Sequence, residues 1–160
     1  GKVITEMGDL PNVGALVFIA AFAPDAGESA GAISQANPPE AFANIQPDSD
    51  GFLWVAQDKY HQSFCQDLSE EEAYVMAVTQ KAPVGGTFGD NVTAPAWKVK
   101  PNWYQISSGD SMLNPENQKM MAARMNPRKT ITLDASHASL ASRPQEVAAF
   151  IVEAANAVSA

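Results

Sequence analysis

One continuous apolar segment limits most strongly what this chain can fold into. Residues 14–23 read Gly-Ala-Leu-Val-Phe-Ile-Ala-Ala-Phe-Ala, and Pro11 and Pro24 bracket them. A run of this length without a polar residue is typical of a strand that is buried on both faces, as in a parallel sheet covered by helices. A segment of a buried helix is the competing interpretation, but the two prolines enclose a length more typical of a strand. We therefore predict a strand here and an α/β fold.

Strand and helix patterns alternate in the last third of the chain. Residues 102–107 and 129–133 are strand-like, and Asn114–Pro115 between them marks the start of a helix. Apolar residues at helical spacing over 147–158 predict a further amphipathic helix, and Ser142–Gln145 has the pattern of a capping box before it. This order of elements predicts right-handed crossovers and a parallel sheet.

The middle of the chain differs from both flanks. Residues 25–96 hold short aromatic clusters, weak periodicity and six of the ten glycines. Within them, Ser69–Glu72 is a capping box that predicts a helix of about ten residues ending before Pro83. We interpret 25–96 as an inserted cap or lid, because its composition is too rich in loops for an independent core. Residues 1–24 and 97–160 then form the α/β core.

Charge and cysteine content narrow the classes of function. The net charge of −8, from 18 acidic and 10 basic residues, speaks against nucleic acid and anionic membrane as partners. Cys65 is the single cysteine and has His61 four residues before it, but two ligands are too few to close a zinc shell. A buried structural cysteine is the favoured interpretation, and we predict no metal site and no cofactor. Met120, Met121 and Met125 are predicted to share one helical face in the core.

Two side chains capable of acid–base chemistry follow successive predicted strands. Asp110 follows the strand 102–107, and His137 follows the strand 129–133. Ligands of open α/β sheets gather beyond the carboxyl ends of strands, so these side chains are placed to meet. A buried carboxylate that accepts from a histidine ring fixes its tautomer and stabilises the imidazolium formed in turnover. The alternatives are a turn role for Asp110, a core or loop role for His137, and Asp134 as the acid.

No serine of this sequence is predicted to be the nucleophile for such a pair. Ser107, Ser108 and Ser111 lack the sharp strand-turn-helix setting of a nucleophile elbow. The order acid then histidine is the one found when the elbow comes earlier in the chain. We therefore expect the nucleophile to precede Gly1, and this chain to hydrolyse nothing alone.

Several stretches together resemble one family. They are residues 1–6, 13–29, 94–98, 108–112 and 136–140, with Arg143-Pro144 after the last. They resemble small bacterial α/β-hydrolases related to the plant methylesterases and hydroxynitrile lyases, and the resemblance covers nearly the whole chain. It implies the C-terminal half of an α/β-hydrolase: parallel sheet strands with flanking helices and an inserted cap. The Gly-His-Ser-Tyr-Gly-Gly motif of that family would end at Gly1, which puts its serine just before this chain.

The resemblance also implies roles for individual residues. Asp110 would be the acid of a catalytic triad and His137 its general base, in a serine hydrolase of a carboxylic ester or related acyl bond. The partners implied are the N-terminal half of the same hydrolase, as a separate chain or a missing segment, and a small-molecule ester. The lid would cover an apolar acyl pocket, for which we name four lining candidates, although packing within the lid explains them equally well: Phe52, Trp54, Phe64 and Met76.

Two other functions stay open at this point. A hydroxynitrile-lyase-like enzyme would use the same residues as acid and base without an acyl-enzyme, and a lid lysine near the site would favour it. Lys59 and Lys81 are the candidates in the lid. A non-catalytic binding or structural subunit is the third possibility, but such a subunit needs neither Asp110 nor His137 at these positions.

Overall fold

The computed structural model describes residues 1–159 as one alternation of helices and strands. In chain order the elements are α1 (Lys2–Met7), β1 (Leu16–Ile19), α2 (Ala30–Ala36), β2 (Ile45–Pro47), β3 (Leu53–Val55), α3 (Tyr60–Phe64), α4 (Glu70–Thr79), β4 (Asn102–Ser107), α5 (Pro115–Met125), β5 (Lys129–Leu133), α6 (Ser139–Ser142) and α7 (Pro144–Asn156). Short 3₁₀ turns connect several of them. Among these helices, none has the length and apolar character that crossing a membrane requires.

The predicted parallel sheet is confirmed. Its strand order is β1-β4-β5, with both pairs parallel. Phe18 lies opposite Tyr104 in the first pair, and Tyr104 lies opposite Thr130 in the second. Every residue of β4 is buried, as expected for a central strand covered on both faces. The carboxyl ends of β4 and β5 therefore lie side by side.

The first strand is shorter than the predicted span of 14–23. Ala20 adopts φ 42°, in the left-handed region, and this turn ends β1 at Ile19. The next residues, Ala21, Phe22 and Ala23, lie beyond the strand and pack against the core, which is why the sequence stays apolar after the strand has ended. The continuous apolar run therefore predicted the burial of this segment correctly, but it predicted too long a strand.

Helix starts follow the predicted caps in two cases of three. Ser69 and Glu72 form the full capping box of α4, and the Asn114 side chain caps α5 ahead of Pro115. The predicted capping box at Ser142 is wrong. Ser142 ends α6, so the N-cap of α7 is Arg143, whose side chain makes no capping hydrogen bond.

The largest apolar cluster of the core lies between the sheet and α5, and a smaller one joins the sheet to α7. Phe18 and Tyr104 stack with ring centroids 5.9 Å apart, and Met121 and Met125 pack into the same cluster. Met120 is 38% exposed, so the prediction of one methionine face was wrong at this residue. Consecutive helical residues are about 100° apart around the axis, which turns Met120 away when Met121 points inward.

The segment 25–96 contains α2, the antiparallel pair of β2 and β3, α3 and α4. A second apolar cluster fills it and includes Ala138, which follows β5; its members are Val55, Tyr60, Cys65, Ala73, Ala77 and Ala138. The segment thus shares its interior with the sheet's carboxyl edge. Its two ends lie together, because Ala26 bridges to Val92 and the Trp97 indole donates to the Pro24 carbonyl at 2.9 Å.

Candidate active site

The loops after β4 and β5 are joined by main-chain hydrogen bonds. The amide of Ser108 donates to the Leu133 carbonyl, and the amide of Gly109 donates to the Ala135 carbonyl, each at 3.0 Å. The two loops therefore run together beyond the sheet edge for several residues. This pairing brings Asp110 on one loop to the same place as His137 on the other.

The Asp110 side chain is fully enclosed, with no exposed area. Its Oδ1 accepts from the amides of Met112 and Leu113, both at 2.8 Å. Its Oδ2 accepts from the Gln118 side-chain amide at 2.9 Å and from His137 Nδ1 at 2.7 Å. Four donors replace the water that this buried carboxylate has lost, and they fix its orientation.

His137 is the exposed partner in this pair. Its side chain is 26% exposed, and the edge of its ring meets the Phe64 ring, with centroids 4.9 Å apart and planes at 80°. A carboxylate can only accept, so Nδ1 carries the proton in this hydrogen bond. Within residues 1–159, no group hydrogen-bonds Nε2, so the second ring nitrogen is available for chemistry.

A cavity of about 640 Å³ opens beside His137. Its wall combines the histidine with side chains from α2, β2, β3, α3 and the loop after α4. Most of these are apolar: Phe42, Ile45, Leu53, Val55, Tyr60, Phe64, Ala82, Pro83, Phe88 and Met112. Ser34, Gln35, Gln80 and Lys81 supply the polar part of the lining. Such a wall suits a largely apolar small molecule.

A profile of the Alpha/beta hydrolase family matches residues 1–150. The chain belongs to the alpha/beta hydrolase family. The match confirms the resemblance and the fold class inferred from the sequence. No curated protein sequence gives a significant match to this hydrolase-family chain.

Solved structures share the fold of this hydrolase-family chain. A pyrethroid hydrolase from Sphingobium faniae JZ-2 has a TM-score of 0.78 and 21% identity, over 98% of this chain and 67% of that chain. Polyneuridine aldehyde esterase has a TM-score of 0.78 and 14% identity, over 95% and 66%. The methylesterase MES16 from Arabidopsis has a TM-score of 0.70 and 16% identity, over 97% and 63%. The chain thus spans about two thirds of the length of these structures.

The four lining candidates of the hydrolase-family chain lie in different places relative to the cavity. Phe64 lines the cavity together with His137. Phe52 and Trp54 are 36% and 39% exposed and lie outside the cavity wall. Met76 packs against the apolar cluster of the segment 25–96 and is also absent from the wall. The structure therefore brings one of the four to the candidate site, and does not bring the other three.

The alternative site residues lie apart from this arrangement. Asp134 is exposed, and His137 contacts Asp110 instead. His61 Nε2 lies 2.9 Å from the Leu68 carbonyl oxygen, and Cys65 is fully buried, where desolvation raises the pKa of its thiol. Among residues 1–159 no three His, Cys, Asp or Glu side chains lie close enough together to hold a metal ion.

Sequence reasoning missed Gln118, which holds the Asp110 carboxylate. Gln118 has no exposed area, and its Oε1 accepts from the Ser107 amide at 3.0 Å while its Nε2 also donates to the Leu113 carbonyl at 2.8 Å. A signal was present. Gln118 lies three and seven residues before Met121 and Met125, on the apolar face of α5, where a polar side chain requires a buried partner.

Proposed function

We propose that this chain supplies the acid and the histidine of a Ser-His-Asp triad, which hydrolyses a carboxylic ester or a related acyl bond. The observation that carries the proposal is the 2.7 Å contact between Asp110 Oδ2 and His137 Nδ1, beside a cavity with a mainly apolar wall. In this arrangement His137 takes the nucleophile's proton at Nε2 and returns it to the leaving group. Asp110 keeps the ring in the required tautomer and stabilises the imidazolium.

In this proposal the nucleophilic serine and the oxyanion hole belong to another part of the hydrolase, on a preceding segment or a separate chain. Three observations support this. The Gly-x-Ser-x-Gly pattern occurs once, at Gly27–Gly31, but its Ser29 is the N-cap of α2, has an extended backbone and lies outside the cavity wall, so it lacks the strained turn of a nucleophile elbow. The chain spans about two thirds of the solved structures that share its fold. Within residues 1–159, β1 has a neighbouring strand on one edge only, so the other edge is open to a further strand.

The substrate we propose is a small ester with an apolar acyl or alcohol group, bound under the segment 25–96 acting as a cap. The apolar side chains around His137 support this class, and among them the Phe64 ring is in edge contact with the histidine. The names of the similar structures, a pyrethroid hydrolase, an aldehyde esterase and a methylesterase, belong to those proteins and agree with an ester here. No cofactor is required by this chemistry, and the net charge of −8 disfavours nucleic acid or anionic membrane as a partner.

The test is hydrolysis of a short-chain aryl ester by the complete hydrolase. His137→Ala should lower kcat by about a thousandfold or more, because the general base is lost. His61→Gln is the matched control, since His61 bonds to the Leu68 carbonyl and does not line the cavity. A serine-directed phosphonate should label the wild-type protein. Full activity in His137→Ala would refute the proposal.

A lyase that uses the same pair as acid and base is the second candidate. Lys81 favours it, because this lysine lines the same cavity as His137. Lys59 gives no such support, since its Nζ lies 3.7 Å from Asp58 and it lies outside the wall. Mass spectrometry separates the two functions. A serine-bound acyl adduct during turnover supports the hydrolase. If no adduct forms and the protein cleaves a cyanohydrin in a reaction that requires Lys81, the lyase is supported.

A further inference from the structure

Two consecutive residues in the turn after α3 contact both loops of the candidate site. The Gln66 side-chain amide donates to the carbonyl of Gly109, which directly precedes Asp110. The Asp67 Oδ2 accepts from the amide of Ser136 at 2.8 Å, and Ser136 directly precedes His137. One short stretch of the segment 25–96 therefore holds each of the two loops at the residue next to the candidate catalytic side chain.

The Asp67 carboxylate is partly buried and hydrogen-bonded at this contact. Burial alone would raise the pKa of Asp67, but hydrogen bonds, the largest of them from Ser136, together outweigh that effect, and its pKa lies below the usual value. Its Oδ1 is buried as well and accepts no hydrogen bond from the described residues. The Ser136 hydroxyl in turn accepts from the Ala138 amide at 3.0 Å, so the turn around His137 is tied on both sides.

The Gln66 contact acts at a point where the two loops already touch. Gly109 donates its amide to the Ala135 carbonyl, and a side chain at Gly109 would lie 3.2 Å from that same oxygen. The loops are therefore in close contact here, and a donor on the Gly109 carbonyl limits their sliding. A displacement of about 1 Å between catalytic groups can cost about a hundredfold in rate. Hydrogen bonds that hold the loops at these positions therefore affect the distance between Asp110 and His137.

We propose that Gln66 and Asp67 are positioning residues, which keep Asp110 Oδ2 and His137 Nδ1 at hydrogen-bonding distance by holding the preceding residue of each loop. The inference has two halves. The geometric half, that these two residues hold the distance between Asp110 and His137, does not depend on the proposed function. The catalytic half, that this distance sustains turnover, rests on it. Tyr60 and Phe64 of α3, directly before this turn, line the cavity, so the stretch that holds the pair adjoins part of the binding wall.

Proton NMR of the complete protein tests the geometric half directly. The Nδ1 proton of His137 should give a far-downfield resonance, which is assigned by its loss in His137→Ala. In Asp67→Ala this resonance should shift upfield or vanish through exchange, and the Ser136 amide should exchange at least about tenfold faster with solvent. Asp67→Asn should restore both, because an amide oxygen can still accept from Ser136. Asp58→Ala, at a side chain that is 77% exposed, is the control.

Kinetics test the catalytic half. Asp67→Ala and Gln66→Ala should each lower kcat by about 10- to 100-fold with KM nearly unchanged, because the wall of the cavity is intact. If Asp67→Ala does not fold, Gln66→Ala carries the test, since that residue is exposed. An unchanged histidine resonance in a folded variant overturns the inference, as does failure of Asp67→Asn to restore it. An inactive wild-type protein with the expected resonances would instead refute the proposed function alone.

Discussion

The side-chain amide of Gln118 donates to Oδ2 of Asp110, the same oxygen that His137 contacts. The acid of the candidate site is thus held by α5 as well as by its own loop. Gln118→Leu has a similar volume and removes three hydrogen bonds at once, to Ser107, Leu113 and Asp110. Since these groups stay buried, the free energy of unfolding should fall by about 2 to 4 kcal/mol in urea denaturation.

The neighbouring exposed residue provides the control for that measurement. Lys119→Leu changes the same helix at a side chain that is 56% exposed, and should alter stability by less than about 0.5 kcal/mol. Equal stability of Gln118→Leu and wild type would mean that the buried amide does not support this site.

Gly109→Ala probes how closely the two loops must approach. An added Cβ would lie 3.2 Å from the Ala135 carbonyl oxygen, so the loops must move apart by a few tenths of an ångström. We expect kcat/KM for an aryl ester to fall by about tenfold or more, because Asp110 and His137 sit on the separated loops. Gly86→Ala is the matched control, since nothing lies within 4 Å of its added Cβ. A loss of activity equal in both variants would contradict this account.

The positions of Asp110 and His137 could be predicted because they follow from strand patterns alone. Once 102–107 and 129–133 are parallel neighbours, the residues just beyond them share an edge. The contacts of Gln66 and Asp67 could not be predicted in this way. They join loops that lie 43 and 69 residues away along the chain, and no local periodicity reports such distances.

Phe52 and Trp54, two of the lining candidates, lie outside the cavity wall for a simple geometric reason. Successive side chains of a strand point to opposite faces, so Leu53 and Val55 face the cavity while Phe52 and Trp54 do not. The prediction favoured the larger aromatic residues, and the alternation itself does not say which face is the inner one. Only the packing of β3 against Tyr60 and the rest of its cluster settles that choice.

Phe64 and Trp54 now form a matched pair for testing substrate binding. Phe64→Ala removes a ring that lines the cavity and touches His137, whereas Trp54→Ala removes an exposed ring outside the wall. Burial of one aromatic side chain is worth about 1.5 to 3 kcal/mol, so kcat/KM for a bulky aryl ester should fall by about 10- to 100-fold in Phe64→Ala. Trp54→Ala should keep wild-type kinetics, and a reversed order would contradict the assigned wall.

Acid should weaken the attachment of the segment 25–96 to α5. Arg124 donates to the Glu28 carboxylate at 2.8 Å and to the Ala23 carbonyl at 2.7 Å, at the start of that segment. The side-chain hydrogen bond from Arg124 is the main cause that lowers the pKa of Glu28. A carboxyl with a lowered folded-state pKa stabilises the fold above its unfolded-state value, near 4.5, and this contribution is lost as the pH falls through the folded-state pKa.

Glu28→Gln should therefore be less stable than wild type at about pH 7, and the difference should shrink at a second, acidic pH below the folded-state pKa of Glu28, where the wild-type carboxyl is also protonated. Urea denaturation at the two pH values measures this. Glu116→Gln is the control, because its pair with Lys119 is largely exposed and contributes little. A stability difference for Glu28→Gln that is equal at both pH values would show that the loss arises from packing, since only an effect of charge disappears when the carboxyl takes up its proton.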